Sequence, residues 1–189
     1  MKSIKFFLLF IGASIQAFCQ NADNKWTVSS AVAAAKFSTT DALVVGERYT
    51  FQIPQLNVSR YLYKGVTLDL GMSLGVIKKL PGFFSNSLQY SSFDLGARYD
   101  FRKSNDNLVP YVYAGTSFIR ANDEVTPTVN IGGGAIFWVL SRFGLQPQLL
   151  YKAASKTNEN MRSHVYFSMG LVYSLKPRTM VHRLWNNRD

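Results

Sequence analysis

The sequence predicts an all-β protein, specifically an eight-stranded antiparallel up-and-down transmembrane β-barrel of the outer-membrane type. Segments of about ten to fourteen residues alternate between apolar and small polar side chains, as expected for strands that have lipid on one side and a polar lumen on the other. The chain has no run of about 18 consecutive apolar residues, so a transmembrane helix is excluded. The aromatic content is 14%, with 10 Tyr and 14 Phe, and it favours the same fold.

The last alternating segment, Ser163–Leu175, shows the pattern at full length. Side chains of an extended chain point to opposite faces with a period of two. One face is apolar and consists of Val165, Phe167, Met169, Leu171, Tyr173 and Leu175. The other face is mostly small or polar, with His164, Tyr166, Ser168, Gly170 and Ser174, and Val172 is its one aliphatic residue. We predict that this segment closes the barrel.

The N-terminus, residues 1–19, has the features of a secretory signal peptide. Lys2 and Lys5 precede an apolar core that begins with Phe6–Ile11, and Ala17 and Cys19 supply small residues before a cleavage site. The predicted domains are therefore this signal peptide, a barrel over residues 20–175 and a basic tail over residues 176–189.

Cys19 also raises the alternative of a lipoprotein, in which this cysteine would be acylated. That processing prefers Leu three residues before the cysteine, where Gln16 stands, so the secretory signal is favoured. Cleavage after Cys19 would leave no cysteine in the mature chain and therefore no disulfide.

The mature chain is basic. Loss of Lys2 and Lys5 leaves 19 basic residues against 11 acidic residues, a net charge of +8. The charges are scattered over the predicted loops without a basic helix, which argues against nucleic-acid binding. Outer-membrane lipid, in particular anionic lipopolysaccharide, is the expected counter-charge, and other outer-membrane or periplasmic proteins are further candidate partners.

Eight strands are predicted, and the connections between them alternate between longer polar loops and short turns. The strands are Lys25–Phe37, Tyr49–Leu62, Val66–Ile77, Tyr90–Phe101, Val109–Arg120, Thr128–Leu140, Phe143–Ala153 and Ser163–Leu175. Ser38–Arg48 and Ala121–Pro127 are predicted as loops. An even number of strands places both chain ends on one side, and the short turns identify that side as periplasmic.

Two segments are less regular. In the fifth strand, Tyr111 and Tyr113 alternate with Val112 and Ala114, so its faces cannot be assigned. In the sixth strand, Gly132–Gly134 weakens the strand pattern, and glycine at such a place indicates curvature or a close approach of backbones.

A soluble lipocalin-like barrel is the main alternative fold. It also has eight strands, but its apolar faces point inward around a ligand and its polar faces meet water. Asp, Lys and Arg should then be dense on the polar faces, whereas Ser, Gly and Thr dominate them here. A narrow lumen fits the small, sparsely charged faces better.

The predicted inward faces carry a set of charged and amide side chains. They are Asp69, Asp94, Arg98, Asp100, Gln146, Gln148 and Lys152. An eight-stranded barrel is just wide enough for its own side chains to fill, and an unpaired buried charge is costly. We therefore predict that these residues pair as a plug. A narrow ion path through the same residues is the alternative.

Several segments together resemble the N-terminal barrel of outer membrane protein A family porins from Bacteroidota. The resemblance lies in P-Q-L-N-V-S-R-Y-L at Pro54–Leu62 with the following G-V-T-L-D-L, F-D-L-G-A-R-Y-D-F at Phe93–Phe101, V-P-Y-V-Y-A-G at Val109–Gly115, Tyr151 with Lys152, and the final S-H…G-L-V-Y-S-L. Family members usually continue into acidic repeats and a peptidoglycan-binding domain. This chain departs from that pattern by stopping with Lys176–Asp189, so the resemblance implies a barrel in the outer membrane, and cell-wall anchoring through that domain cannot be carried over.

Enzymatic chemistry is not predicted. His164 and Ser168 share a face, but four residues of extended strand separate them by roughly 13 Å, too far for a base and its nucleophile. His182 has no companion at metal-ligand spacing, and Gly132–Gly134 precedes no helix that could bind phosphate. We expect no catalytic residue, cofactor or metal.

The basic tail combines charged and apolar residues. Arg178, Arg183, Trp185 and Arg188 are candidates for docking a periplasmic or membrane partner, and a disordered terminus is the alternative.

Three functional hypotheses follow for the protein. The first is a structural or interaction barrel, such as an accessory subunit of an envelope complex, the second is a narrow porin, and the third is a lipid A-modifying enzyme.

Overall fold

The computed structural model of the protein describes residues 25–45, 48–75, 79–80, 84–85, 90–101, 106–121, 124–154 and 162–178. The predicted signal peptide and the tail beyond residue 178 lie outside these ranges. Within them, no helix is both long enough and apolar enough to cross a membrane.

Eight strands form a closed antiparallel barrel in which almost every strand pairs with its neighbours in the chain. They are β1 (Trp26–Phe37), β2 (Tyr49–Tyr63), β3 (Val66–Leu74), β6 (Tyr90–Asp100), β7 (Leu108–Ala121), β8 (Glu124–Trp138), β9 (Phe143–Ala154) and β10 (His164–Ser174). The last strand, β10, pairs with β1 and closes the barrel. A separate two-stranded sheet consists of β4 (Lys79–Leu80) and β5 (Phe84–Ser85). The predicted fold class is confirmed.

Two predicted loops are wrong. Residues 38–48 contain a short helix, α1 (Thr39–Val45), and the Ser38 hydroxyl caps it by accepting a hydrogen bond from the Asp41 N–H.

Residues 124–127 belong to β8, so only residues 122–123 separate it from β7. Pro127 suggested a loop, but the described ladder between β8 and β9 starts at the next residue, Thr128. Pro127 pairs with Phe118 of β7, so the strand includes it.

The other predicted strand ends agree with the structure to within one residue, with two exceptions. The sixth predicted strand ended at Leu140, whereas β8 ends at Trp138. The third predicted strand ended at Ile77, whereas β3 ends at Leu74 and residues 76–78 lie outside the described ranges. β1 begins and β10 ends at the same end of the barrel, which we call the termini end. The opposite end, the loop end, carries the connections 38–48, 75–89, 122–123 and 155–163.

The stagger of the strands can be followed through one level of paired residues around the barrel. From Ala35 on β1 this level passes through Tyr166, Leu150, Gly132, Tyr113, Arg98, Thr67 and Tyr61. The Tyr61 N–H then donates to the Lys25 carbonyl, ten residues before the starting point. One circuit of the barrel therefore moves the pairing along β1 by ten residues. A shift of this size corresponds to strands tilted by roughly 40° from the barrel axis and to a lumen that side chains can fill.

Buried and exposed side chains alternate along most of the strands, with apolar side chains on the exposed face and charged side chains on the buried face, the reverse of a soluble protein. Large apolar side chains such as Leu70, at 43% exposure, and Leu171, at 62%, point outward. Asp100, at 2%, and Lys152, at 0%, are buried inside. Charged residues are almost never buried in a soluble protein unless they are paired. The core of this barrel is therefore its polar lumen.

Candidate functional site: the filled lumen

The loop-end half of the lumen contains an ion pair that spans the barrel. Lys152 on β9 donates to Asp94 on β6 at 2.6 Å, and three strand steps around the wall separate β9 from β6. The same Lys152 ammonium lies 4.4 Å from the centre of the Tyr166 ring. Ser92, at 3.0 Å, and Ser117 also donate to the Asp94 carboxylate. Asp94 is thus held by three donors from three strands, which is what a buried carboxylate requires.

This cluster continues toward β8. Asn130 donates to the Ser117 hydroxyl, and the Thr128 hydroxyl donates to the Asn130 side-chain oxygen at 3.0 Å. All three residues are buried. Because these three side chains are small, the hydrogen bonds between them run along the barrel wall and leave space for Lys152 in the lumen.

The termini-end half contains a second charge cluster, centred on Arg98 of β6. Its guanidinium lies 3.2 Å from the Asp100 carboxylate and 3.7 Å from the Asp69 carboxylate. Thr67 donates to Asp100 at 3.1 Å. The Arg98 guanidinium also lies 5.2 Å from the centre of the Tyr111 ring, so the cation is contacted on several sides.

The mouth at the termini end is closed by residues from the end of the chain. The Arg178 guanidinium stacks 3.9 Å from the centre of the Trp138 ring, and its backbone N–H donates to the Ser141 carbonyl at 2.8 Å. Arg178 is buried, at 6% exposure. Arg178, one of the residues of the predicted docking tail, therefore packs against the barrel through Trp138. The other tail candidates, Arg183, Trp185 and Arg188, lie outside the described residues.

The mouth at the loop end is lined with aromatic rings. His164 packs against Phe37 with ring centres 5.0 Å apart, and its Nε2 lies 3.4 Å from the Tyr90 hydroxyl. Its Nδ1 faces the Arg162 carbonyl at 2.9 Å, so Nδ1 must donate and Nε2 accepts from Tyr90. Tyr166, on the same face of β10, bonds to Ser73 at 3.0 Å. These side chains cover the Lys152–Asp94 pair from the loop end.

Inward-facing glycines at mid-height make room for two tyrosine rings. Tyr111 and Tyr113 point into the lumen, which settles the faces that the sequence left open. A Cβ on Gly134 would lie 2.7 Å from the Tyr111 hydroxyl, and a Cβ on Gly115 would lie 2.7 Å from the Tyr113 hydroxyl. The hydroxyl ends of these two rings therefore occupy space that a side chain at either glycine would fill. The sequence interpretation of Gly132–Gly134 as a close approach of chain segments agrees with this packing.

The lumen is nearly full. A cavity of about 20 Å³ lies beside Asp94, Lys152 and Tyr166, and one of about 10 Å³ lies between Arg98, Trp138 and other residues of the termini-end mouth. Each has room for about one water molecule. Among the described residues, the buried side chains include three carboxylates and three Lys or Arg side chains, so the lumen charges balance.

The structure places the sequence-predicted lumen residues in two separate clusters. Lys152 pairs with Asp94, Arg98 contacts both other aspartates, and Gln146 donates to the Tyr111 hydroxyl at 2.8 Å. Gln148 is half-buried and accepts a 3.5 Å contact from Ser168. Sequence reasoning missed the four aromatic side chains that complete these clusters: Tyr111, Tyr113, Trp138 and Tyr166. For Trp138 and Tyr166 the available signal was their position on the polar faces, whereas the faces of the strand with Tyr111 and Tyr113 could not be assigned.

The arrangement does not assemble groups for bond-making chemistry among the described residues. His164 contacts tyrosine and phenylalanine rings, and Ser168 contacts Gln148, so the two have different surroundings. The described residues contain no group of three His, Cys, Asp or Glu side chains that could hold a metal ion.

Comparison with solved structures identifies the architecture. The N-terminal β-barrel domain of OprF from Pseudomonas aeruginosa superposes with a TM-score of 0.60 at 14% identity, covering 80% of this chain and 98% of that domain. Neisserial surface protein A gives 0.53 at 16% identity, covering 81% and 98%. A de novo designed transmembrane β-barrel gives 0.51 at 16% identity, covering 80% and 96%. The fold is that of an outer-membrane β-barrel.

No protein-family model and no curated protein sequence matches the chain. Because the structural relatives are less than 25% identical, they establish the outer-membrane barrel fold and nothing about activity. The filled lumen described above is a property of this chain's own side chains.

Proposed function

We propose that this chain is an integral outer-membrane protein without enzymatic activity, in which the barrel is a scaffold for a structural or protein-interaction role. The observation that carries the proposal is the inverted distribution of side chains. Charged groups pair inside a lumen with room for single water molecules, and the outward faces are apolar. A barrel that fills its own lumen offers surfaces and loops to partners rather than a path to solutes.

The outer surface supports membrane insertion. Between its two rims, the described outward positions carry apolar or small uncharged side chains over roughly ten residues of tilted strand, about 25 Å. Exposed Trp26, Tyr63 and Phe143 lie near the termini end, and exposed Tyr49 and Phe118 lie near the loop end. Aromatic rings favour the two membrane–water interfaces. The apolar band therefore has the height expected for a membrane-spanning barrel, with aromatic residues at both of its edges.

The orientation follows from the connections. At the termini end, β2 joins β3 through only two residues, and the longest connections, 75–89 and 38–48, lie at the loop end. Outer-membrane barrels have short periplasmic turns and longer extracellular loops. Both chain ends would accordingly be periplasmic after export by the predicted signal peptide, as in the outer membrane protein A family porins of Bacteroidota that the sequence resembles.

The filled lumen predicts very low ion conductance. In planar lipid bilayers, the full chain is expected to leave the current close to that of a protein-free bilayer, because Tyr111, Tyr113 and the two charge clusters occupy the lumen. Stable channel events in the wild-type protein whose amplitude changes in Arg98→Ala would contradict the plug and support the alternative of a narrow porin. Insertion must be checked in parallel by protease protection.

An interaction role predicts retained partners. We propose that the segment with Arg183, Trp185 and Arg188 contacts a periplasmic or membrane protein, with Trp185 as its anchor, in an envelope complex. A mild-detergent pull-down of the tagged full chain from outer membranes should then retain a defined set of proteins, and Trp185→Ala should lose at least one of them. The matched control is Trp26→Ala, an exposed tryptophan on the barrel wall. An identical protein set from the wild type and Trp185→Ala would count against the tail as a docking segment.

A further inference from the structure

Three basic side chains gather at one sector of the loop-end rim. Lys36 is the second-last residue of β1, and Arg48 immediately precedes β2. The register pairs Phe37 with His164, which places Arg162 beside the same sector, just before β10. Lys36 and Arg48 are both exposed. This rim sector is formed by the ends of three adjacent strands, so its geometry is set by the barrel itself.

Two of these cations converge on a single ring. The Lys36 ammonium lies 6.0 Å and the Arg48 guanidinium carbon 5.9 Å from the centre of the Tyr49 ring, so the two charges are no more than about 12 Å apart. Lys36 and Tyr49 are paired across β1 and β2. The Phe37 N–H donates to the Arg48 carbonyl at 3.0 Å, which fixes the backbone of Arg48 against the end of β1.

Like charges held close together repel unless an anion lies near them. Among the residues that the structure describes, no carboxylate forms an ion pair with Lys36, Arg48 or Arg162. The Arg162 Nε atom is buried and has no hydrogen-bond partner among the described atoms. Within the described part of the chain, the sector therefore presents a cluster of cations without a paired carboxylate.

The position of the sector along the barrel axis indicates which anions it can meet. Lys36 and its paired residues Tyr49 and Val165 point outward, and the outward positions of β1 that precede Lys36 are Val32 and Ala34. Tyr49 is about half exposed, at 47%, and its ring continues the apolar wall. A cation at this height, above a tyrosine, meets the level of the lipid headgroups when the apolar band lies in the membrane.

We propose that Lys36, Arg48 and Tyr49, with Arg162 beside them, form a binding site for a phosphorylated lipid headgroup of the outer leaflet. The two exposed cations bind phosphate oxygens through charge-assisted hydrogen bonds, and the Tyr49 ring packs against the sugar or acyl part next to the phosphate. This inference rests on the proposed membrane location. The net basic charge indicates contact with anionic lipid only in general, and the inference assigns that contact to particular residues.

The test uses the full chain folded in uncharged maltoside micelles. Native mass spectrometry measures its affinity for a phosphorylated lipid A-type glycolipid, for the same glycolipid without phosphate, and for inorganic phosphate. The wild type should bind the phosphorylated glycolipid most tightly. Removing a cation near the membrane surface should weaken binding about fivefold, so the double variant K36A/R48A should bind roughly 25-fold more weakly.

Two comparisons make the result specific. Arg60→Ala removes an exposed cation that lies 5.1 Å from the Trp26 ring at the opposite rim, and it should leave the affinity within about twofold of the wild type. The charge-retaining variant K36R/R48K should keep most of the affinity. Equal affinities of the wild type and K36A/R48A, or equal losses in Arg60→Ala, would overturn the site.

Tight binding of inorganic phosphate alone, with no preference for the lipid, would also overturn the proposal, since the anion would then be a free phosphate. Insertion of the same preparation into lipid vesicles is measured separately. If the chain folds but does not insert, the proposed membrane function fails. If it inserts and K36A/R48A binds like the wild type, only the headgroup site fails.

Discussion

Lys152→Met should lower the free energy of unfolding by about 3–5 kcal/mol, the usual cost of removing one partner of a buried ion pair. Lys152 is fully buried, and its ammonium donates to Asp94 at 2.6 Å. Methionine matches the length of the side chain but leaves the Asp94 carboxylate without a counter-charge in the lumen. Urea unfolding of the barrel in lipid vesicles, followed by loss of β-sheet circular dichroism, gives the measurement.

A second variant separates charge from packing. Replacing both partners, as in Lys152→Met with Asp94→Asn, removes the uncompensated charge and should recover a large part of the lost stability, since neutral groups of similar volume are tolerated at such sites. Exposed Lys36→Met is the control for a loss of positive charge and should change stability by no more than about 0.5 kcal/mol. A Lys152→Met barrel as stable as the wild type would mean that the pair does not hold the lumen together.

Leu70→Arg should destabilise the inserted barrel by about 2–4 kcal/mol, because an arginine at mid-height on the lipid face must leave water. Leu70 points outward from β3, and its paired neighbours Val58 and Leu95 are also outward and apolar. Unfolding from vesicles by denaturant, monitored by tryptophan fluorescence, gives the change in free energy.

The matched substitution is Val125→Arg, at an outward position of β8 near the loop end of the barrel. Near the membrane interface, the same arginine should cost only about 0–1 kcal/mol. A soluble barrel would show no such depth dependence: both positions would face water, and both substitutions would stay within about 0.5 kcal/mol. Equal small effects at Leu70 and Val125 would therefore argue against a membrane-embedded wall.

The strands could be predicted from the sequence because strand periodicity is local. In Val66–Leu74 every second residue is apolar, and a shift of one residue would place Asp69 on the lipid face. The same local rule failed at residues 124–127. Pro127 and the polar residues before it are typical of loops, whereas in the barrel residues 124–127 pair with Phe118–Ala121 of β7 and continue the strand.

The lumen residues could be assigned to a face but not to partners. Alternation places Asp94 and Lys152 inside, yet 58 residues separate them in the chain, and their contact depends on the closure and stagger of the barrel. The same holds for Arg178. Its position after the last strand indicated a free tail, whereas the short distance from the end of β10 to the β8–β9 turn lets it stack on Trp138.

By itself, the sequence determined the number of barrel strands, the face on which most side chains lie and the apolar character of the outer wall, since these depend on neighbours within one strand. The tertiary structure alone decided which charges pair across the lumen, why Tyr111 lies against Gly134, and how Lys36 and Arg48 meet at one ring. These contacts join strands that are distant in the chain. They depend on a ten-residue stagger that no single strand encodes.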